Sequence, residues 1–140
     1  MSVPGASKQI VDTLLAWDRM EVHPHRFGGL EFKIGRREIG HIHGDVLVDI
    51  PFPKKVRDEI VAAGDAKPHH VLPDSGWVSF YLHDEGDIER AIALLKRSYD
   101  IASKQKRRVQ AHIDARAEVV EVGFYEIANY LTLSSNLGMM

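Results

Sequence analysis

Between Glu21 and Pro53 apolar residues recur at every second position, and the pattern is interrupted by two glycine-led dipeptides. Leu30, Phe32 and Ile34 alternate with Glu31 and Lys33, while Gly35-Arg36 and Gly44-Asp45 each place glycine first in what reads as a two-residue hairpin loop. Loops of that kind need a left-handed backbone at the glycine and join antiparallel strands. Three consecutive strands are expected, near 29–34, 37–43 and 46–50. Paired residues share a face, and a one-residue slip moves every side chain to the other side. Two-residue turns pair Ile34 with Arg37 and His43 with Val46, so Leu30, Phe32, Ile34, Ile39, His41, His43, Val46, Val48 and Ile50 are expected on one face. Glu31, Lys33, Glu38, Gly40, Ile42, Leu47 and Asp49 fall on the other, with Lys33 and Glu38 as a cross-strand charge pair that ties down the hairpin.

Around this meander the period is helical. Ile10, Leu14 and Trp17 predict an amphipathic helix over 6–20, closed by Pro24. Pro53 to Ala63 reads as a short helix with proline near its start and Gly64 just past its end. Residues 77–82 alternate again as a strand, and Asp84 or Asp87 caps a long helix to about Ser103, whose Ile88, Ile92, Leu95, Tyr99 and Ala102 form an apolar stripe. These elements predict a single α+β domain over 1–103. It has an antiparallel sheet of about four to five strands, an N-terminal helix, a short middle helix and a long helix after the last strand. Residues 104–140 form a separate extension: the basic run Lys104 to Arg108, then a helical segment. There Ile113, Val120 and Ile127, and Ala117, Phe124 and Leu131, recur seven apart as a seam that packs on the domain or, through 109–131, on a second copy.

At 140 residues, 44% hydrophobic and 27% charged, the chain has the composition of one globular domain. A net charge of −2 gives no electrostatic footprint for nucleic acid. No apolar run is long enough to span a membrane and no signal-peptide pattern opens the chain, so a cytoplasmic location is expected. The absence of cysteine removes disulfides, thiolate metal sites and thiol nucleophiles.

Histidine is unusually frequent, with eight copies, six of them between 23 and 70 as His23-Pro-His25, His41-Ile-His43 and His69-His70. On a strand, His41 and His43 point the same way, and the register above sets them among Leu30, Val46 and Val48. Imidazoles on an apolar face need partners, a metal or a polar ligand. One reading is a transition-metal site, although this register turns Glu38 and Asp49 away from the pair, so that His69, His70, Asp74 or a helix carboxylate would have to complete it. Another is a metal-free pocket in which His41 or His43 is a general base, His70 joins it, and Trp77 and Tyr81 wall a small aromatic or enolic ligand. A third is a non-catalytic binding or interaction domain with structural histidines.

The stretches Gly35 to Asp45, Asp49-Ile50-Pro51-Phe52, Pro68-His69-His70 and Ser75-Gly76-Trp77 resemble the luciferase-domain family, which is named after fungal luciferases and populated mostly by bacterial proteins of unknown function. The resemblance runs over 22–102, with Glu38, His41 and His43 matching the family's Glu-x-x-His-x-His pattern and His70 its later histidine. It implies oxygenase-like chemistry on a hydroxylated small molecule, with molecular oxygen and no added cofactor. A looser likeness, to YjbR-type double-wing proteins, rests on Gly76-Trp77-Val78 and Arg97-Ser98-Tyr99.

Overall fold

A computed structural model describes residues 2–135, the side chains at 106, 107 and 117–135 excepted. The chain divides into two compact units, 1–103 and 104–140. The first contains α1 (Ala6–Leu15), β1 (Met20–Pro24), β2 (Leu30–Ile34), β3 (Arg37–His43), β4 (Leu47–Pro51), α2 (Lys54–Ala62), β5 (Lys67–Pro68), β6 (Trp77–Tyr81) and the start of α3 (Gly86–Ser135). In the second unit the chain continues as helix through the basic run, with Val109 and Ile113 exposed. Ala117, Val120, Phe124, Ile127 and Leu131, which carry most of the expected dimer seam, lie outside the described side chains.

All six strands join one antiparallel sheet in the order β1-β2-β3-β4-β6-β5. The class is the expected α+β, with one or two strands more than expected. Both additions are edges, and each contains a proline, Pro24 and Pro68, which an edge tolerates because one row of its N–H groups has no partner. The first helix is correspondingly shorter than 6–20: it stops at Leu15, and Arg19, with φ 63°, turns the chain into β1.

One face of the sheet is the core. Phe32, Ile34, Ile42, Val48, Ile50 and Val78 pack with Ile10 and Leu14 of α1 and with Ile88, Ala91 and Leu95 of α3. The helix comes so close to the sheet that a Cβ on Gly40 would stand 2.7 Å from Leu95 Cδ2. The α3 N-terminus is capped as expected: Asp84 Oδ1 accepts from Asp87 N–H at 3.1 Å, and Asp87 Oδ2 accepts from His83 N–H at 2.8 Å.

The first turn has the expected pairs, Ile34 with Arg37 and Lys33 with Glu38. The next pair is Phe32 with Gly40, so Ile39 is an extra residue on β3, a bulge. Ser98 Oγ of α3 donates to the Ile39 carbonyl at 2.9 Å. At the second turn the loop is three residues, 44–46, and His43 pairs with Leu47 instead of Val46. The two one-residue differences cancel for β4, whose Val48 and Ile50 face the core as expected. They do not cancel for β3: Gly40 and Ile42 face the core, and His41 and His43 point away from it, into a row with Glu31, Asp49 and Ser79. The expectation of paired imidazoles on the apolar face, turned away from Asp49, is thereby corrected.

The loop between β1 and β2 holds Phe27 at φ 60° and 99% exposed. A left-handed backbone costs a side chain of this kind about 1–2 kcal/mol. Asparagine tolerates that conformation better, so Phe27→Asn is expected to leave the urea midpoint unchanged or raise it by the equivalent of up to ~1 kcal/mol.

Candidate functional site

On the face of the sheet opposite the core, His41 of β3, Asp49 of β4 and Ser79 of β6 stand side by side in consecutive strands. Asp49 is fully buried. Ser79 Oγ donates to its Oδ1 at 2.7 Å. Its other oxygen, Oδ2, is 3.1 Å from the Nε2 atoms of His41, His43 and His70, and 3.5 Å from that of His69. Four imidazoles thus address one carboxylate oxygen. His69 and His70 reach it because the loop after β5 folds over the sheet. Ser79 Oγ also accepts the His70 N–H at 3.1 Å. The Lys54 ammonium donates to the Asp74 carbonyl at 2.8 Å, Arg57 donates to the Pro73 carbonyl, and Phe52 N–H donates to the Gly76 carbonyl at 3.0 Å. The start of α2 therefore clamps the loop.

The four rings differ in what holds their second nitrogen. His41 Nδ1 faces Glu38 Oε1 at 3.4 Å, so this ring lies between two carboxylates. His69 Nδ1 accepts two backbone N–H groups, from Val71 at 3.1 Å and Leu72 at 3.0 Å. Both rings are buried, whereas the His43 and His70 side chains are 31% and 37% exposed. His25 stacks on His41 with centroids 4.2 Å apart, and Trp77 lies 5.2 Å from His41 and 6.0 Å from His69. Lys33 stands opposite Glu38 in the ladder, but its ammonium is 3.4 Å from Glu31, and Glu38 turns to His41. Tyr81 lies farther along β6, where it opens with Lys67, His83 and Arg90 onto a cavity of about 640 Å³.

The charges follow from these contacts. Burial alone would lower the His41 pKa, but its hydrogen bonds to Asp49 and Glu38 outweigh burial and raise it to about 9 from 6.5. Burial would raise the Asp49 carboxyl, yet the bonds from His41, Ser79 and His70 hold it well below the usual carboxylate range. For His69 burial wins and the pKa is lowered, in keeping with its two backbone N–H donors at Nδ1. In metal-free protein the contribution of His41 is complete below its unfolded pKa near 6.5 and is lost as pH rises through about 9. That of Asp49 is present above pH 3.8 and is lost as pH falls. The urea midpoint in chelating buffer is expected to fall between pH 6.5 and 9.5, by the equivalent of roughly 2 kcal/mol, and the fall should vanish in His41→Gln.

Of the residues singled out from sequence, His41, His43, His70 and Trp77 come together here, with Glu38 in support; Tyr81 stands apart. Asp49 is the site residue that the sequence reading does not place here, because the two-residue turns set it on the face opposite the histidines. His69, named there only as a residue that could complete a metal site, joins the cluster. The chemistry this arrangement can perform is that of a buried anion ringed by imidazoles: proton transfer, oxyanion stabilisation or metal ligation. Two sets of potential ligand atoms share Asp49, His41–Asp49–His69 and His43–Asp49–His70, each with its atoms within 4.8 Å of one another; His25–Glu38–His41 meets the same limit.

The fold and the site define a class: an antiparallel-sheet α+β protein with a histidine–aspartate centre on the sheet face opposite its helices. The Luciferase domain model matches residues 36–98, somewhat under half the chain, from the β2–β3 turn into α3. No curated protein and no solved structure matches. Among the described residues no helix is long and apolar enough to cross a membrane.

Proposed function

We propose that this protein is a small-molecule oxygenase-like enzyme whose reaction centre is Asp49 with the open imidazoles His43 and His70. The supporting observation is the convergence of four imidazoles on one fully buried carboxylate oxygen. A structural aspartate in a sheet is satisfied by far less. Ser79 and one histidine would suffice, and apolar replacement of buried ionic clusters is commonly neutral or stabilising. The centre is also graded in exposure: His41 and His69 are nearly buried, while His43 and His70 are partly open to solvent.

An enolic or phenolic ligand fits this gradient. Its hydroxyl proton passes to the centre at the His43–His70 end. The resulting anion is held near the positive charge His41 carries between Glu38 and Asp49, with the Trp77 ring as an aromatic wall. The electron-rich anion is then the partner for molecular oxygen. Positioned proton transfer of this kind supplies about 10²–10⁴-fold in rate. A cytoplasmic setting suits a cysteine-free chain of this composition.

Oxygen uptake by the full chain against a panel of phenols and hydroxypyrones tests the reading. Uptake with at least one compound is expected, reduced ~10²-fold or more in His70→Ala without a matching loss of melting temperature. No uptake with any compound, with or without added divalent metal, sinks the oxygenase reading. A non-catalytic domain would show the stability change alone.

A further inference from the structure

We propose that His43, His70 and Asp49 form a two-histidine, one-carboxylate site for a single divalent transition-metal ion, with His41 and His69 held back as donors that fix the aspartate. The inference rests on the same centre as the oxygenase reading and gives its open imidazoles a second use, as ligands in place of proton acceptors; it stands on ring chemistry that involves no substrate.

The four imidazoles differ in the proton each must carry. A neutral imidazole has one lone pair and one N–H. His69 Nδ1 accepts two backbone N–H groups, so its lone pair is there and its proton is on Nε2. That Nε2–H donates toward Asp49 and has nothing to offer a cation. His41 lies between Glu38 and Asp49, with a carboxylate at each nitrogen, so both nitrogens donate. These two rings are the buried ones. His43 and His70 are the partly exposed pair, each with Nε2 facing Asp49 Oδ2, and the two residues form with Asp49 one set of ligand atoms within 4.8 Å of each other. Of the sets that share Asp49, only this one has both lone pairs to give.

The spacing agrees. His43 Nε2 and His70 Nε2 are each 3.1 Å from Asp49 Oδ2. An ion with bonds of about 2.0–2.2 Å keeps neighbouring ligand atoms roughly 2.9–3.5 Å apart. The carboxylate is aimed in advance, since Ser79 holds Oδ1 and thereby presents Oδ2. Outer donors of this kind orient ligands and tune affinity. Three protein ligands on a solvent-open rim leave coordination positions for an exogenous molecule, the pattern used by non-haem iron(II) sites. His25, Glu38 and His41, the remaining set, would need lone pairs from a ring already held between two carboxylates.

Untagged full-length protein, stripped with chelator, is titrated with Co(II) and, without oxygen, with Fe(II). One ion per chain is expected. His43→Ala and His70→Ala should each lose stoichiometric binding, whereas His69→Ala keeps one ion with affinity lowered roughly 10–100-fold. Spin-echo modulation of Cu(II) bound to the unaltered chain should count two coupled imidazoles, a readout that needs no variant to fold. Three or four imidazoles, retention of the ion by His43→Ala with loss in His69→Ala, or no stoichiometric ion in the unaltered chain would each overturn the site. Binding without oxygen uptake would instead overturn the oxygenase reading and leave the metal site standing.

Discussion

Asparagine at position 49 is expected to destabilise the metal-free fold by about 3–5 kcal/mol at neutral pH, the range seen when one member of a buried charge pair is removed. Asp49 is fully buried and carries the negative charge that the surrounding imidazoles address. The amide has nearly the same shape but no charge, and its nitrogen side presents hydrogens where the site presents donors. His41 would keep Glu38 alone, at 3.4 Å, and Ser79 would lose a charged acceptor at 2.7 Å. Chemical unfolding in chelating buffer measures the effect, with Ser79→Ala as the graded control: a single bond to a charged group contributes about 1.5–3 kcal/mol. A midpoint for Asp49→Asn within ~1 kcal/mol of the parent would show that the aspartate is not the electrostatic keystone of this face. Oxygen uptake should disappear in the same variant, because both proposed uses of the centre require the carboxylate.

Gly76→Ala is the second substitution expected to act strongly, through backbone and not through charge. A Cβ there would stand 2.1 Å from the Phe52 carbonyl oxygen, and that strand end accepts the loop through the bond from Phe52 N–H to the Gly76 carbonyl. Neither partner is a flexible side chain that can swing aside, so the loop has to lift. Overpacking of this kind costs about 1–3 kcal/mol, and two backbone segments in contact place Gly76→Ala in the upper part of that range. The displacement reaches the centre, because the same loop carries His69 and His70 and is clamped by Lys54 and Arg57. Gly64→Ala is the comparison: φ there is 78°, but nothing lies within 4 Å of the added atom, so only the left-handed backbone penalty of about 1 kcal/mol applies. Equal midpoints for the two variants would mean that the loop is not pinned at Gly76.

Local sequence signals were enough wherever a short-range rule decides the structure. Gly35-Arg36 sits in a two-residue turn because a left-handed glycine between alternating strands has few other options, and the Lys33–Glu38 pairing follows from that turn alone. Pro53 and Gly64 bracket α2 because proline presets the backbone at a helix start and glycine accepts the left-handed turn after its end, and Asp84 with Asp87 begins α3 because their carboxylates satisfy orphan backbone N–H groups. The missed elements are short. β5 has two residues, and β1 is an edge strand ending in proline, so neither shows much alternation.

The candidate site was legible in part, and the reason lies in two residues. An extra Ile39 and a three-residue second turn each move the register by one, which leaves β2 and β4 facing as the pattern implied but reverses the end of β3. Gly40 was the available signal, since a glycine inside a strand marks a bulge or a close approach, and here it does both. Without the reversal Asp49 looks like a surface carboxylate on the wrong side. With it, Asp49 becomes the focus of the histidines.

By itself the sequence determined the α+β class, the meander and the positions of its helices, because propensity, turn chemistry and hydrophobic period are local properties of neighbouring residues. Only the tertiary structure decided that His41, His43, His69 and His70 meet on one oxygen. That outcome depends on where α3 presses Leu95 against Gly40 and supplies Ser98 to the bulged strand, and on where α2 anchors the loop of His69 and His70. Such packing contacts join residues tens of positions apart, and the period of a single strand contains no information about them.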